Sequence, residues 1–265
     1  MNTYKIECGD CLQLMQDIPD GSVDMILCDL PYGTTACKWD TVIPFEPLWA
    51  EYKRIIKKNG AIVLFGSQPF TSALGASNLS MLEYSWVWEK GRPTNFPNAK
   101  KMPLKGFEDV LVFYLSQPTY KPQNLVSCNR VIKNTGTKSR KGSFKENGDR
   151  TSVHNDYSES EYKQEFTNYP RGLLRFAQDS DAFHPTQKPV ALCEYLIKTY
   201  TNEGEWVLDN CMGSGTTGVA CINTNRNFIG IEQEEKYFTI AKDRLEKAEE
   251  SAIQQHITQK LAIGG

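Results

Sequence analysis

The chain has 265 residues, enough for one large α/β core with a modest insertion and too few for two full-sized domains. Hydrophobic residues make up 40% and charged residues 23%, with a formal net charge of −2. No apolar stretch approaches the ~18 residues of a membrane span and Met1 opens no charged-then-apolar leader, so a soluble, cytoplasmic protein without a membrane partner is expected.

Taken in chain order, apolar runs predict seven strands, at 4–8, 23–28, 61–66, 84–88, 109–115, 205–209 and 227–231. Most are continuously apolar, as strands covered on both faces are. Residues 45–58 place Leu48, Tyr52, Ile55 and Ile56 on one helical face, with Asn59-Gly60 as the stop, and 189–200 repeat the pattern behind Pro189. This alternation predicts a doubly wound, mostly parallel sheet. It fails between residues 120 and 182, where polar clusters replace apolar periods. That stretch is expected to be an insertion in a main domain of residues 1–119 and 183–265.

Eight cysteines do not imply disulfides, because Cys28, Cys193, Cys211 and Cys221 lie in apolar segments as small hydrophobes. Cys8 and Cys11 form a C-x-x-C without a second pair or a nearby histidine, so no metal site is expected. Charge is uneven. Thirteen Lys/Arg stand against four acids between Lys90 and Arg150, an excess suited to a phosphate backbone or to a solvated face.

After the strand that ends at Asp209, the glycines at 213, 215 and 218 fit G-x-G-x-x-G ahead of an apolar helix. In that context Asp209, Asn210, Gly213, Ser214, Gly215 and Thr216 let the backbone approach a nucleotide-like ligand at a helix N-terminus. No Gly-Lys-Ser/Thr follows, which excludes a Walker loop. The next strand ends at Glu232, placed to accept hydrogen bonds from ribose hydroxyls. These features admit NAD as well as S-adenosylmethionine. Asp209 favours the latter, because it attracts a ligand's ammonium and repels a pyrophosphate.

The strand at 23–28 runs into Asp29-Leu30-Pro31-Tyr32, at the strand end where open α/β sheets place ligands. The nitrogen of an exocyclic base amine has its lone pair delocalised into the ring and is a poor nucleophile. The Asp29 carboxylate and the Leu30 carbonyl can each accept one N–H, redirect that lone pair and stabilise the developing positive charge. Pro31 stiffens the turn, and Tyr32 can stack on the base.

With these motifs in this order, the sequence resembles the DNA amino-methyltransferases of the β arrangement, in which the catalytic Asp-Pro-Pro-Tyr precedes a target-recognition segment and the glycine turn comes last. The resemblance implies the Rossmann-like methyltransferase fold with a seven-stranded sheet. It also implies S-adenosylmethionine as cofactor and double-stranded DNA as substrate, modified at adenine N6 with cytosine N4 as the alternative. His184-Pro185-Thr186-Gln187-Lys188-Pro189 is similar to the family motif whose Thr186 and Lys188 face the methionine end of the cofactor, and Gly9-Asp10-Cys11-Leu12 to the segment receiving its adenine. Leu30 departs from the usual proline, although its carbonyl is retained.

The same resemblance points to a bacterial or phage-encoded enzyme and leaves open a homodimer and a cognate restriction endonuclease as partners. It places recognition in residues 120–182. The target base has to leave the duplex to be reached. Tyr32, and after it Trp39 or Phe96, are candidates to replace the contacts it loses. Lys90, Arg92, Lys100 and Lys101 are expected on phosphates, and Arg130 and Arg140 on base edges. An NAD-dependent oxidoreductase explains the glycine turn but neither Asp29–Tyr32 nor 184–189. A nucleic-acid-binding protein without catalysis has Leu30 as its single hint.

Overall fold

A computed structural model describes residues 3–33, 40–134, 160–179 and 187–263. Strand β1 (Tyr4–Cys8) leads through the short helix α1 (Cys11–Leu14) to β2 (Val23–Cys28), every residue of which is buried. Helix α2 (Phe45–Ile55) runs directly into β3 (Ile56–Gly66), followed by α3 (Phe70–Ser77), β4 (Leu82–Thr94) and β5 (Lys105–Phe113). Strands β6 (Val126–Asn134), β7 (Ser160–Thr167) and β8 (Leu173–Phe176) come next. The chain finishes with α4 (Val190–Tyr200), β9 (Trp206–Asp209), α5 (Thr216–Asn223), β10 (Asn227–Glu232) and α6 (Glu235–Ile263).

The main sheet has the order β1-β10-β9-β2-β3-β5-β4-β8. It is parallel from β1 through β3; β5 then runs antiparallel to both β3 and β4, and β8 parallel to β4. Alternate residues of the central strands feed two separate cores. Met25, Leu27, Val63 and Phe65 pack with Leu192, Leu196 and Cys221 of α4 and α5, whereas Ile26, Cys28, Ile62 and Leu64 pack with Leu48 and Tyr52 of α2. Double coverage is why β2 reads as an unbroken apolar run rather than an alternating one.

The structure differs from the sequence reading in the bounds of β4 (Leu82–Thr94, against 84–88) and β5 (Lys105–Phe113, against 109–115), and at three further points. Helix α2 ends at Ile55 rather than Lys58, and Asn59-Gly60 lies inside β3. Pairing of Ile56 with Val23 and the 2.6 Å Lys57–Asp24 ion pair draw these residues into the sheet, where Gly60 packs so closely that a Cβ would sit 2.8 Å from the Asp24 carbonyl oxygen. Among the described residues the sheet also has eight strands, because the four residues of β8 join β4 at its edge. Finally, the chain divides into one unit of residues 1–123 and 171–265 and another of 124–170, so both ends of the stretch expected as the insertion belong to the large unit. Lys121 N–H, for instance, donates to the Thr199 carbonyl at 2.8 Å.

Among its described residues the smaller unit holds the antiparallel β6–β7 pair, with a bulge between Ser127 and Arg130. Among the described residues no helix is long and apolar enough to cross a membrane.

Helix α5 sits on the sheet through a glycine. A Cβ at Gly218 would lie 2.6 Å from both Leu245 Cδ2 and Phe228 Cε1, and the Phe228 ring is fully buried. Alanine would gain about 1 kcal/mol of helix propensity but incur about 1–3 kcal/mol of overpacking. We therefore expect Gly218→Ala to lower the urea unfolding midpoint; an unchanged or raised midpoint would show that α5 is not seated by this contact.

Candidate active site

The order β1-β10-β9-β2 brings four parallel carboxyl ends side by side, and the turns that follow them surround one cleft of about 680 Å³, within the range of small-molecule sites. Asp29, Leu30, Pro31 and Tyr32 line it after β2, Asp10 and Cys11 after β1, Asp209, Asn210, Gly213, Ser214 and Thr216 after β9, and Glu232 at the end of β10. Lys188, just ahead of α4, completes the wall. Segments almost 200 residues apart in sequence thus share one opening.

Asp29 is held from two sides. Its Oδ1 accepts from the Tyr32 hydroxyl at 2.6 Å, and its Oδ2 is ion-paired with the Lys188 ammonium. Lys188 is buried, with Glu108 Oε2 at 3.1 Å on its other side, and Lys90 Nζ lies 2.5 Å from Glu108 Oε1. Burial alone would push the Lys188 pKa down, but the Asp29 and Glu108 carboxylates outweigh it and raise it. Burial likewise opposes ionisation of Glu108, yet Lys188 and Lys90 hold its pKa below the usual carboxylate value. Tyr32 is pushed well above its ordinary value by burial and by the neighbouring Asp29 and Glu108 charges. Its ring stacks on Phe70 with centroids 4.9 Å apart, so a base can meet only the opposite face.

The glycine turn is built by acids that bind its own backbone. Asp209 Oδ1 accepts from the Cys211 N–H at 3.1 Å and Oδ2 from the Thr217 hydroxyl at 2.6 Å. Burial pushes the Asp209 pKa up to about 7, with those hydrogen bonds partly offsetting the rise. Glu232 accepts from the Gly213 and Glu234 N–H groups, each at 2.8 Å, and its pKa is raised by burial against those same bonds. Asp10 is the N-cap of α1, taking the Leu12 and Gln13 N–H groups on Oδ1. Gly213 and Gly215 have φ of 53° and 79°, a region that favours glycine. Gly215 does not line the cleft; a Cβ there would sit 3.0 Å from Ala241 Cβ of α6, so it serves packing as well as the turn.

The expected DNA contacts divide. Lys90 is corrected: its side chain is 12% exposed and committed to Glu108, whereas a phosphate grip needs a free surface charge. Arg92, Lys100 and Lys101 are exposed around the turn between β4 and β5, where Phe96 is also 63% exposed. Arg130 is exposed on β6. Trp39, Arg140 and Thr186 lie outside the described residues.

Several residues of the site went unnoticed in the sequence. Glu108 counts there merely as one acid in a basic stretch, although a charge just ahead of the apolar run of β5 is a signal of buried pairing. Tyr52 looks like one more apolar position on α2, yet its hydroxyl donates to Asn210 Oδ1 at 2.5 Å and so fixes the glycine turn from below. Arg244 of α6 donates to the Ser214 carbonyl at 2.6 Å, and Ser214 donates to Gln187 Oε1 at 3.1 Å. Cys211 belongs to that turn rather than to an apolar element, and its thiol accepts from Asn210 Nδ2 at 3.6 Å.

Known proteins resemble the chain over most of its length. The chain is 30% identical over 253 residues to the DNA adenine methyltransferase YhdJ of Escherichia coli (strain K12), covering 91% of this chain and 82% of that one. It is 27% identical to the type II methyltransferase M.HpaI of Haemophilus parainfluenzae, covering 91% and 74%. The solved M1.HpyAVI–SAM complex superimposes with a TM-score of 0.62 at 27% identity, covering 92% of this chain and 99% of that chain. The family model described as DNA methylase, of the N6/N4 group, matches residues 23–243, and with most of its length matched the chain belongs to the DNA methylase family.

Proposed function

We propose that this protein methylates N6 of an adenine turned out of duplex DNA, with S-adenosylmethionine as methyl donor. The observation that carries the reading is that Asp29 and the glycine turn open into one cleft. Adenine is favoured because the relative of 30% identity is named an adenine methyltransferase. Support for the cofactor comes from the SAM complex of M1.HpyAVI and from the residues themselves. Gly213 faces open space, with nothing within 4 Å of a built Cβ, and the Asp209, Glu232 and Asp10 carboxylates suit an ammonium, a ribose and an adenine amine. When bound, the cofactor supplies an electrophilic methyl group on a sulfonium.

The chain's own residues do the rest by alignment and charge. Asp29 and the Leu30 carbonyl accept the two N–H groups of the target amine and turn its lone pair into the cleft. Tyr32 offers its ring face opposite Phe70 to the base. Lys188 keeps its proton between two carboxylates, so it is no acceptor for the proton released after transfer. The unit of residues 124–170, carrying Arg130, would read the sequence, while Arg92, Lys100 and Lys101 would hold phosphates. A cytoplasmic location, a second copy of the chain and a cognate restriction endonuclease complete the proposal; the last draws on a relative named a type II methyltransferase.

Transfer of tritiated methyl to unmethylated DNA should yield N6-methyladenine, and Asp29→Ala should abolish it while leaving cofactor binding in place. Label recovered as N4-methylcytosine would refute the base assignment. Cofactor affinity should also depend on pH. Asp209 is charged above about 7 and neutral below it, so affinity for a ligand ammonium should weaken as pH falls through about 7. Titration calorimetry of Asp209→Asn should show that dependence flattened; a slope equal to wild type would remove Asp209 from the ammonium site.

A further inference from the structure

Each oxygen of Asp29 already carries one donor, and one of the two donors is a cation. Tyr32 occupies Oδ1 and the Lys188 ammonium occupies Oδ2. A carboxylate neutralised by an adjacent ammonium is a poor partner for an amine that is becoming positive, because the two cations repel across the same oxygen. Loss of the Lys188 proton gives no way out. The ammonium sits between two carboxylates and lies 5.1 Å and 5.9 Å from the Phe65 and Tyr32 ring centroids, surroundings that all favour the charged form. Relieving Asp29 of that neighbouring charge therefore calls for Lys188 to move rather than to titrate.

A destination lies within reach. Glu108 Oε2 is 3.1 Å from the same Nζ, is buried, and takes no aligned hydrogen bond, whereas Oε1 is already fixed by Lys90 at 2.5 Å. Buried carboxylate oxygens seldom go without an aligned donor, and one left so beside a lysine is an acceptor held in reserve. We propose that Glu108 is a positioning residue for methyl transfer: as the target amine docks on Asp29, Lys188 turns onto Glu108 Oε2 and uncovers Asp29 Oδ2. The exchange makes and breaks hydrogen bonds alone and leaves the charge of the buried network unchanged. Lys90 holds Glu108 in place and ionised throughout.

The inference rests on the methyl-transfer reading, and the experiment separates the two. Single-turnover transfer from S-adenosylmethionine to DNA is compared for the full-length wild type, Glu108→Gln and Glu108→Asp. In parallel, the ¹³Cε signal of Lys188, assigned by its absence in Lys188→Arg, is followed by NMR as DNA is added with a non-reactive cofactor analogue. Glu108→Gln should slow the transfer step by on the order of 100-fold with unchanged Kd for cofactor and DNA, and Glu108→Asp should recover part of the rate. The Lys188 signal should shift on DNA binding in wild type and stay fixed in Glu108→Gln. Wild-type rates in Glu108→Gln, or a Lys188 signal that ignores DNA in wild type, would overturn the proposal. So would loss of cofactor binding in both Glu108 variants, which would assign Glu108 to the fold. An inactive wild type would instead sink the methyl-transfer reading itself.

Discussion

A charge cannot be buried alone, and the site is organised around that rule. Taking an ammonium out of water is disfavoured by several kcal/mol even after relaxation, so Lys188 has to be met by carboxylates. Meeting it recruits four separate pieces of chain: Asp29 after β2, Glu108 in β5, Lys90 in β4 and Lys188 itself ahead of α4. The antiparallel pairing of β5 with β3 and β4 is what carries Glu108 to the strand ends where the parallel half of the sheet places Asp29.

A second economy lies in the acids of the cofactor-side turns. Asp10, Asp209 and Glu232 look in sequence like ligand-binding carboxylates, and each is first a support for the backbone around it. A carboxylate has about four acceptor positions, so bonding two N–H or O–H donors leaves room for a ligand. Tyr52 and Arg244 brace the same loop from α2 and α6, so residues outside the cleft fix its wall.

Sequence made the central features legible where a residue's neighbours along the chain decide its role. Strands β1 and β2 matched their predicted bounds because continuous apolar runs admit one solution in a doubly covered sheet. The turns at Asp29 and Gly213 were visible because proline and glycine dictate backbone shape locally. What escaped was decided by distant partners. Nothing near Glu108 in sequence reveals Lys188, eighty residues on, and nothing in the helical period of α2 tells a buried tyrosine that donates a hydrogen bond from one that merely packs. The missed strand β8 has four residues and owes its existence to the exposed edge of β4. The misplaced end of α2 has the same cause, since pairing with β2 overrode a good local stop signal.

The placement of β1 has a consequence for how the molecule comes to be. Its partner in the sheet is β10, and Thr3 and Asn227, 224 positions apart, share a hydrogen bond at that seam. During synthesis β1 therefore waits, without its partner, until β10 has left the ribosome, and such non-local closure is slow. The glycine turn and Glu232 lie between β9 and the end of β10, so a product cut before β9 would lack both the partner of β1 and that side of the cleft. Competence to bind the methyl donor thus arrives together with completion of the sheet.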